Sequence, residues 1–99
     1  RDKVRQQTWK PIGSAIYGKK VNEEFGKKIA LSYDGSVLVV SATGYGLVRV
    51  FRLLKNSGTD GSFSWAQMGP DIKGPTGGDD GFGQAVGVTD DGITIIVGA

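Results

Sequence analysis

Residues 9–42 read WKPIGSAIYGKKVNEEFGKKIALSYDGSVLVVSA, and residues 65–99 read WAQMGPDIKGPTGGDDGFGQAVGVTDDGITIIVGA. The second stretch repeats the first at an offset of 56 residues, and one inserted residue changes the offset to 57. A period above about 50 residues with several short strands per unit is typical of proteins built from repeated β units. The chain is therefore expected to contain two copies of one unit. The matched positions are Trp9 and Trp65, Gly13 and Gly69, Ile16 and Ile72, Gly18 and Gly74, Phe25 and Phe82, Gly26 and Gly83, Asp34 and Asp91, and Gly35 and Gly92.

Alternation of apolar and polar residues predicts a β-hairpin in each copy. In the first copy, residues 28–32 alternate, residues 33–36 supply turn residues, and residues 37–40 form a short apolar run. A period of two indicates a strand, and an Asp-Gly pair is favoured in hairpin turns that need a positive φ. The second copy repeats the pattern with a strand at 84–88, a turn at 89–92 and a strand at 93–97.

Two further strands complete the predicted unit. Residues 47–54 read LVRVFRLL, and residues 62–68 read SFSWAQM. The charges of Arg49 and Arg52 predict that the third strand is relatively exposed, because charged side chains are rarely buried. Helical periodicity is absent, so the sequence predicts an all-β fold in which each unit is a four-stranded antiparallel meander.

The motifs of this unit resemble those of a known repeat family. They are W-x-x-x-G-x-x-I-x-G, then F-G, then D-G before a short apolar strand ending in S/G-A, then G-x-V-R-V-F. Their order resembles the FG-GAP-type β-propeller repeat, the blade unit of integrin α-subunit head domains and of secreted adhesive proteins. The resemblance covers residues 9–99. It implies a non-catalytic structural or adhesive module, extracellular or lumenal, that contacts proteins or glycans.

The resemblance also implies how the chain is organised. Residues 1–99 would form a single β-repeat region, with one blade at 9–64 and an incomplete second blade at 65–99. Because a propeller has about 4–8 blades, the chain is expected to be part of a larger propeller or assembly. Flanking repeats or other copies of the chain would complete it by strand addition, since 93–97 alone would be an apolar edge strand.

Composition argues against catalysis. The sequence has no histidine and no cysteine, which removes the usual general base and the thiolate nucleophile. We expect no enzyme activity and no cofactor. Two alternatives stay open: an accessory structural subunit of a large complex, and a fragment of a propeller enzyme whose catalytic residues lie elsewhere.

Charge and hydropathy limit the class of partner. No apolar run approaches the roughly 20 residues that a membrane span needs, so no transmembrane segment is expected. The lysine pairs lack an aromatic stacking platform, so nucleic-acid binding is not expected. The net charge is +5 over residues 1–50 and −3 over residues 51–99. This split favours head-to-tail contacts between copies or neighbouring repeats, although an unevenly charged solvated surface would give the same numbers.

Candidate contact residues lie in the loops that would connect one blade to the next, where a repeat fold can carry function. A solvated acidic turn is the alternative interpretation of the paired carboxylates. Adjacent residues on one loop do not flank a scissile bond at the roughly 5–9 Å that glycoside hydrolysis needs. The candidates are Lys19, Lys20, Glu23 and Glu24 in the first copy, and Asp79 and Asp80 in the second.

The matched aromatic residues are assigned to packing. A tryptophan at the same place in both copies favours contact between neighbouring blades over ligand stacking. A Phe-Gly pair places a ring in the core while glycine lets backbones approach. The residues assigned a structural role are Trp9, Trp65, Phe25, Gly26, Phe82 and Gly83.

The Asp-Gly turns are considered as calcium sites. Calcium-binding members of the family place a run of alternating Asp or Asn residues before the glycine of this turn. Here only Asp34, Asp90 and Asp91 are available. Ca²⁺ prefers about six to eight oxygen ligands, so a site at these turns would need carbonyls and water, and no metal is the favoured expectation.

Overall fold

The computed structural model describes residues 12–13, 15–56, 62–75 and 82–98. These residues contain strands and turns but no helix, which confirms the predicted all-β fold. Trp9, Asp79 and Asp80 lie outside the described residues. The strands are β1 (Phe25–Leu31), β2 (Val37–Ala42), β3 (Leu47–Lys55), β4 (Phe63–Gln67), β5 (Ile72–Lys73), β6 (Ala85–Val88) and β7 (Ile95–Gly98).

The first five strands form one antiparallel sheet, here called sheet 1. The strand order is β1-β2-β3-β4, and β5 pairs with the first residues of β3, beyond the end of β4. The register between β1 and β2 shifts between Phe25 and Ile29. Strands that follow one another in the chain therefore lie side by side as a meander.

The strand β3 lies at the centre of sheet 1, although its arginines predicted an exposed strand. One edge pairs with β2, and the other edge pairs with β4 and β5. Arg49 is only 1% exposed, and Arg52 is half-buried. The prediction was wrong because two carboxylates, described below, compensate the charge of Arg49 inside the fold.

The two sides of sheet 1 differ in chemistry. Successive residues of a strand point to opposite sides, and residues directly opposite on paired strands share a side. The register of β2 and β3 therefore defines two sides, and both contribute to the buried core. The side called the valine side carries Val37, Val39, Ser41, Val48 and Val50, and the side called the arginine side carries Leu38, Val40, Arg49 and Phe51.

The strands β6 and β7 form a separate antiparallel hairpin, here called sheet 2, which packs on the valine side of sheet 1. Ile95 lines a groove shared with Val37 and Val50. Val88 and Val97 share that side of sheet 2, and both are half-buried. The two sheets therefore stack face to face, with β6 lying over β1 and β2.

Two glycines allow sheet 2 to approach sheet 1 closely. Gly83 and Gly92 have φ values of 91° and 73°. A Cβ atom added to Gly92 would lie 2.8 Å from Val37 Cγ2, and one added to Gly83 would lie 3.3 Å from Ser41 Cβ. The first distance is too short for a carbon–carbon contact, so a side chain at Gly92 would separate the sheets.

A matched pair of alanine variants tests this contact. Gly35 has a φ of 79°, and a Cβ added there meets nothing within 4 Å. Gly35→Ala should cost about 1–2 kcal/mol, because a non-glycine residue is strained at positive φ. Gly92→Ala should cost at least about 1 kcal/mol more, because it adds a clash with buried Val37. Urea denaturation measures the free energy of unfolding of both variants, and amide exchange follows the stability of β6 and β7. Equal losses of stability in the two variants would contradict the close contact between the sheets.

Candidate functional site

A buried ion pair joins the loop before β1 to the centre of sheet 1. Glu23 is 2% exposed and Arg49 is 1% exposed. Arg49 donates from Nη1 and Nη2 to the two carboxylate oxygens of Glu23, each at 3.0 Å. The backbone N–H of Lys19 also donates to Glu23 Oε2, at 2.6 Å. Bidentate bonds between two charged groups are among the stronger hydrogen bonds in proteins, so this pair fixes the loop on β3.

A second carboxylate, from the segment between β4 and β5, binds the same guanidinium. Arg49 donates from Nε to Asp71 Oδ1 at 2.9 Å and from Nη2 to Asp71 Oδ2 at 3.2 Å. Gln67 Nε2 donates to Asp71 Oδ1 at 2.8 Å, and Lys19 Nζ donates to Gln67 Oε1 at 2.9 Å. These residues, here called the arginine cluster, are Glu23, Arg49, Asp71, Gln67 and Lys19.

The arginine cluster holds its charged groups ionised. Hydrogen bonds from Arg49 lower the pKa of Glu23, although burial opposes this shift. The same guanidinium lowers the pKa of Asp71 to about 2. Hydrogen bonds to Glu23 and then Asp71 raise the pKa of Arg49 against the effect of burial. A general acid or base works best with a pKa near the operating pH, so these shifts suit a fixed ion network better than proton transfer.

The backbone of the loop explains how Glu23 reaches the interior. Asn22 and Glu24 have φ values of 63° and 56°, a region that few residues other than glycine adopt. The N–H of Gly44 donates to the carbonyl oxygen of Glu23 at 2.9 Å, and a Cβ atom on Gly44 would overlap the Asn22 carbonyl. A Cβ atom on Gly18 would likewise collide with Glu23 Oε2. Two glycines thus leave the space through which Glu23 enters.

The four candidate contact residues of this loop have different environments in the structure. Glu23 and Lys19 belong to the arginine cluster, and a surface partner cannot reach the buried carboxylate of Glu23. The interpretation of residues 23–24 as a solvated acidic turn was wrong for Glu23, because it pairs with buried Arg49. Sequence reasoning missed the roles of Arg49 and Asp71. One signal was present: an arginine between two valines in an apolar strand is costly unless a carboxylate accompanies it.

The other two candidates stay on the surface. Lys20 is exposed, and its Nζ lies 5.0 Å above the ring of Tyr45. Glu24 is exposed, accepts a hydrogen bond from Thr43 Oγ1 at 2.9 Å and lies 4.0 Å from Lys27 Nζ. A partner that contacts this loop would therefore meet Lys20 and Glu24, together with Lys19, whose side chain is 55% exposed although it belongs to the arginine cluster.

The two phenylalanines of the Phe-Gly pairs have matching surroundings. A Cβ atom on Gly18 would lie 3.0 Å from Phe25 Cβ, and one on Gly74 would lie 2.5 Å from Phe82 Cγ. Each ring is half-buried against the glycine that precedes it in its own copy. Phe25 also meets Phe51 edge to face, with ring centroids 6.4 Å apart.

Trp65 is half-buried on β4. Its Nε1 donates to the carbonyl oxygen of Ile12 at 3.2 Å, and a Cβ atom on Gly13 would lie 3.2 Å from Trp65 Cδ1. The ring therefore holds the segment at residues 12–13 against sheet 1. This environment is less enclosed than the core position expected for a tryptophan that packs between blades.

The first Asp-Gly turn uses its carboxylate to bind its own backbone and hydroxyls. Asp34 Oδ1 accepts from Ser36 Oγ at 2.7 Å, and from Ser36 N and Ser32 Oγ at 3.0 Å each. Hydrogen bonds from Ser36 and then Ser32 lower the pKa of Asp34. Ser32 Oγ in turn accepts from the N–H of Val37 at 3.0 Å, which closes the turn.

The second Asp-Gly turn repeats this pattern. Asp91 Oδ1 accepts from Thr89 Oγ1 at 2.5 Å and from the N–H of Ile93 at 3.0 Å. These bonds, first that from Thr89, lower the pKa of Asp91. Thr89 Oγ1 accepts from the N–H of Thr94 at 3.2 Å. Asp90, the third calcium candidate, is exposed. Within the described part of the chain no three acidic side chains come together as metal ligands.

An open groove of about 380 Å³ lies between the outer half of sheet 1 and the edge of β7. Among the described residues, β7 pairs only with β6, so its other edge is free. The groove is largely apolar, with Arg52 at its wall. Its lining residues are Val37, Val50, Arg52, Met68, Ile72, Gly92, Ile93 and Ile95.

The chain matches no family model, no curated protein and no solved structure. In residues 12–13, 15–56, 62–75 and 82–98, no helix has the length and hydropathy to cross a membrane.

Replacing the arginine of the cluster should strongly destabilise the fold. Arg49→Met leaves the buried Glu23 carboxylate without its cation, and we expect a loss of about 3–5 kcal/mol in the free energy of unfolding. Arg52→Met, the same change on the same strand, is the control and should cost less than about 1 kcal/mol. The double variant Arg49→Met with Glu23→Gln should recover part of the loss. Chemical denaturation measures the free energy of unfolding of these three variants. Equal losses for Arg49→Met and Arg52→Met would contradict a buried ion pair at Arg49.

Acid should weaken the fold through the same cluster. The pKa of Asp71 is about 2 in the folded chain against 3.8 ordinarily. A depressed folded pKa stabilises the fold above the unfolded pKa, and this contribution is lost as the pH falls through the folded pKa. The free energy of unfolding should therefore drop by roughly 2 kcal/mol through Asp71 between about pH 5 and pH 2. Asp71→Asn should flatten this profile and Asp90→Asn should not; urea unfolding across this pH range decides.

Proposed function

We propose that the chain is a non-catalytic structural module made of two β-propeller-type blades, the second incomplete, which acts by contacting other protein surfaces. The packing of sheet 2 on sheet 1 is the observation that carries this proposal, because a propeller is built from antiparallel sheets stacked face to face. The meander of β1 to β4 has the strand order of one blade. The FG-GAP-type motifs of residues 9–64 and 65–99 support the same interpretation.

Equivalent backbone geometry supports the repeat. Matched glycines adopt nearly the same positive φ in both copies. In each Asp-Gly turn, the aspartate carboxylate accepts a hydrogen bond from a hydroxyl group two residues earlier and one from a backbone N–H two residues later. The φ values are 76° and 77° at Gly13 and Gly69, 87° and 91° at Gly26 and Gly83, and 79° and 73° at Gly35 and Gly92.

The free edge of β7 is the proposed site of strand addition. By sequence, β7 is equivalent to residues 38–41 of β2, and β2 is paired on both of its edges. Thr89 N donates to Thr94 O at 2.9 Å, so the next pair, Val88 and Ile95, is of the non-hydrogen-bonded type. The N–H and C=O of Ile95 therefore point away from β6. They are available to a strand from a flanking repeat or from another copy.

The groove beside β7 suits that added strand. A strand paired with β7 would lie over Val50, Met68 and Ile72, which line the opposite wall. Its side chains would fill apolar space that the hairpin leaves open, and burial of apolar surface is the main driving force of such contacts. The partner favoured by this surface is a β-strand with apolar residues at every second position.

A protein partner is favoured over a glycan. The strands expose aliphatic residues on their open sides, with Ile29 62% and Ile96 65% exposed. Exposed apolar patches are typical of protein interfaces, and the exposed aromatic residues Tyr17 and Tyr33 lie in loops and turns rather than on the strands. The proposed setting is extracellular or lumenal, as the resemblance to adhesive proteins implies. The same surface also fits an accessory structural subunit of a large complex.

The Asp-Gly turns are proposed to hold no calcium. Oδ1 of Asp34 and Oδ1 of Asp91 already accept hydrogen bonds within their own turns. A metal ion would have to displace these bonds and still gather about six to eight oxygen ligands.

Amide exchange at the β7 edge tests strand addition. As the chain concentration rises, the outward N–H groups of Ile95 and Val97 should become protected from exchange, because a second strand accepts their hydrogen bonds. Ile95→Pro removes one of these donors and should abolish the protection at Val97. Ile95→Val keeps the donor and serves as the control. Unchanged exchange of both amides at every concentration would contradict strand addition between copies of the chain.

A further inference from the structure

Two pairs of matched glycines have different surroundings. In sheet 2, Gly83 and Gly92 lie against Ser41 and Val37 of sheet 1. Their counterparts in sheet 1, Gly26 and Gly35, have nothing within 4 Å of an added Cβ atom. The backbone conformation is the same in both places, so the difference is the missing neighbour.

The side chains around these glycines show the same contrast. Ile29 and Leu31 lie on the arginine side of sheet 1, opposite Val40 and Leu38, and are 62% and 56% exposed. The sequence-equivalent residues of sheet 2 are half-buried on the side that faces sheet 1. Sheet 2 therefore packs on sheet 1 through a surface whose β1 part, at Ile29 and Leu31, is open in sheet 1, whereas Leu38 and its equivalent Ile95 are both half-buried. The equivalent residues are Val86 for Ile29, Val88 for Leu31 and Ile95 for Leu38.

The complementary surface is open on sheet 2. Val39, at the centre of the valine side, is completely buried in sheet 1. Ile96 is its sequence equivalent on the outer side of sheet 2, and it is 65% exposed. One chain thus presents both halves of its own internal sheet–sheet contact: the docking half on sheet 1 and the receiving half on sheet 2.

We propose that the arginine side of sheet 1, around Ile29 and Leu31, docks on the outer side of sheet 2 of a second copy, around Ile96. The contact repeats the interface already present between the two sheets, and the inference rests on the equivalence of the two sheets in the proposed function. Docking in this way is head to tail, so each chain has one open surface of each kind and successive copies form a ring or a linear stack.

The charge distribution favours the same orientation. Residues 1–50 carry a net charge of +5 and include the docking strand β1. Residues 51–99 carry −3, and the strands β6 and β7 themselves have no charged residue. Lys27 and Lys28 on the docking strand β1 are exposed, as are Asp90 and Asp91 in the turn between β6 and β7, and opposite charges on two partners speed and orient their association. Exposed charges are screened beyond about 10 Å at 0.1 M salt, so the association should weaken as salt rises.

Complementary charge variants test the head-to-tail contact. Ile29→Glu blocks the docking surface, and Ile96→Glu blocks the receiving surface; both residues are more than half exposed, so each variant should fold. In sedimentation velocity, each variant alone should self-associate at least about tenfold more weakly than the unchanged chain. Val21→Glu, at an 80% exposed loop position off the strands, is the matched control and should associate normally.

Mixing the two variants gives the decisive result. Ile29→Glu keeps its receiving surface and Ile96→Glu keeps its docking surface, so an equimolar mixture should form a one-to-one dimer and nothing longer. Failure of the mixture to form a heterodimer, or a monomeric unchanged chain at all concentrations, overturns the proposal.

The proposed contact can also be tested on the unchanged chain by NMR at different concentrations. Dilution of the unchanged chain should shift the amide signals of Gly26 and Gly35, which lie at the proposed contact, and constant signals there would contradict it. If Ile95 and Val97 are protected but the mixture forms no heterodimer, the result supports strand addition at β7 and contradicts sheet stacking. If the mixture forms a heterodimer but these amides stay unprotected, the result supports sheet stacking and contradicts strand addition.

Discussion

The buried guanidinium of Arg49 is the constraint on which the rest of the structure depends. A cation at the centre of a sheet is costly unless carboxylates and hydrogen bonds surround it. Glu23 comes from the loop before β1 and Asp71 from the segment between β4 and β5, so one side chain joins three parts of the chain. The loop must pass over Gly44 to bring Glu23 inside, and this path also positions Phe25 at the start of β1.

The Asp-Gly turns of the two sequence copies have matching hydrogen bonds but different surroundings. Asp34 and Asp91 close their turns through matching hydrogen bonds, and the glycines that follow adopt matching backbone conformations. The turn at Gly92 is pressed against Val37, whereas the turn at Gly35 faces open space. The proposed contact between copies uses these surfaces, which are buried in one place and exposed in the other.

The acidic residues with shifted pKa values are all held in fixed hydrogen bonds. The strongest polar groups are engaged in fixed pairs within the arginine cluster and in the Asp-Gly turns. The pKa of each acidic residue that shifts is lowered, which keeps these carboxylates ionised. The outer edge of β7 leaves backbone groups that β6 does not pair, and two sheet sides expose aliphatic side chains. Such groups recognise other strands and sheets.

The sequence by itself determined the strands and turns, because period-two alternation and Asp-Gly pairs act over a few neighbouring residues. It also predicted the meander of residues 25–67, where each strand pairs with the next. Only the tertiary structure decided the fate of Arg49 and Glu23, predicted as an exposed arginine and a loop contact residue and found as a buried pair. The burial of Arg49 and its charge pairing depend on Glu23 and Asp71, which lie 26 and 22 positions away in the sequence, and no local pattern records such pairs. For the same reason, the open part of the arginine side, at Ile29 and Leu31 of β1, became visible only in the tertiary structure, where sheet 2 covers the opposite side of sheet 1.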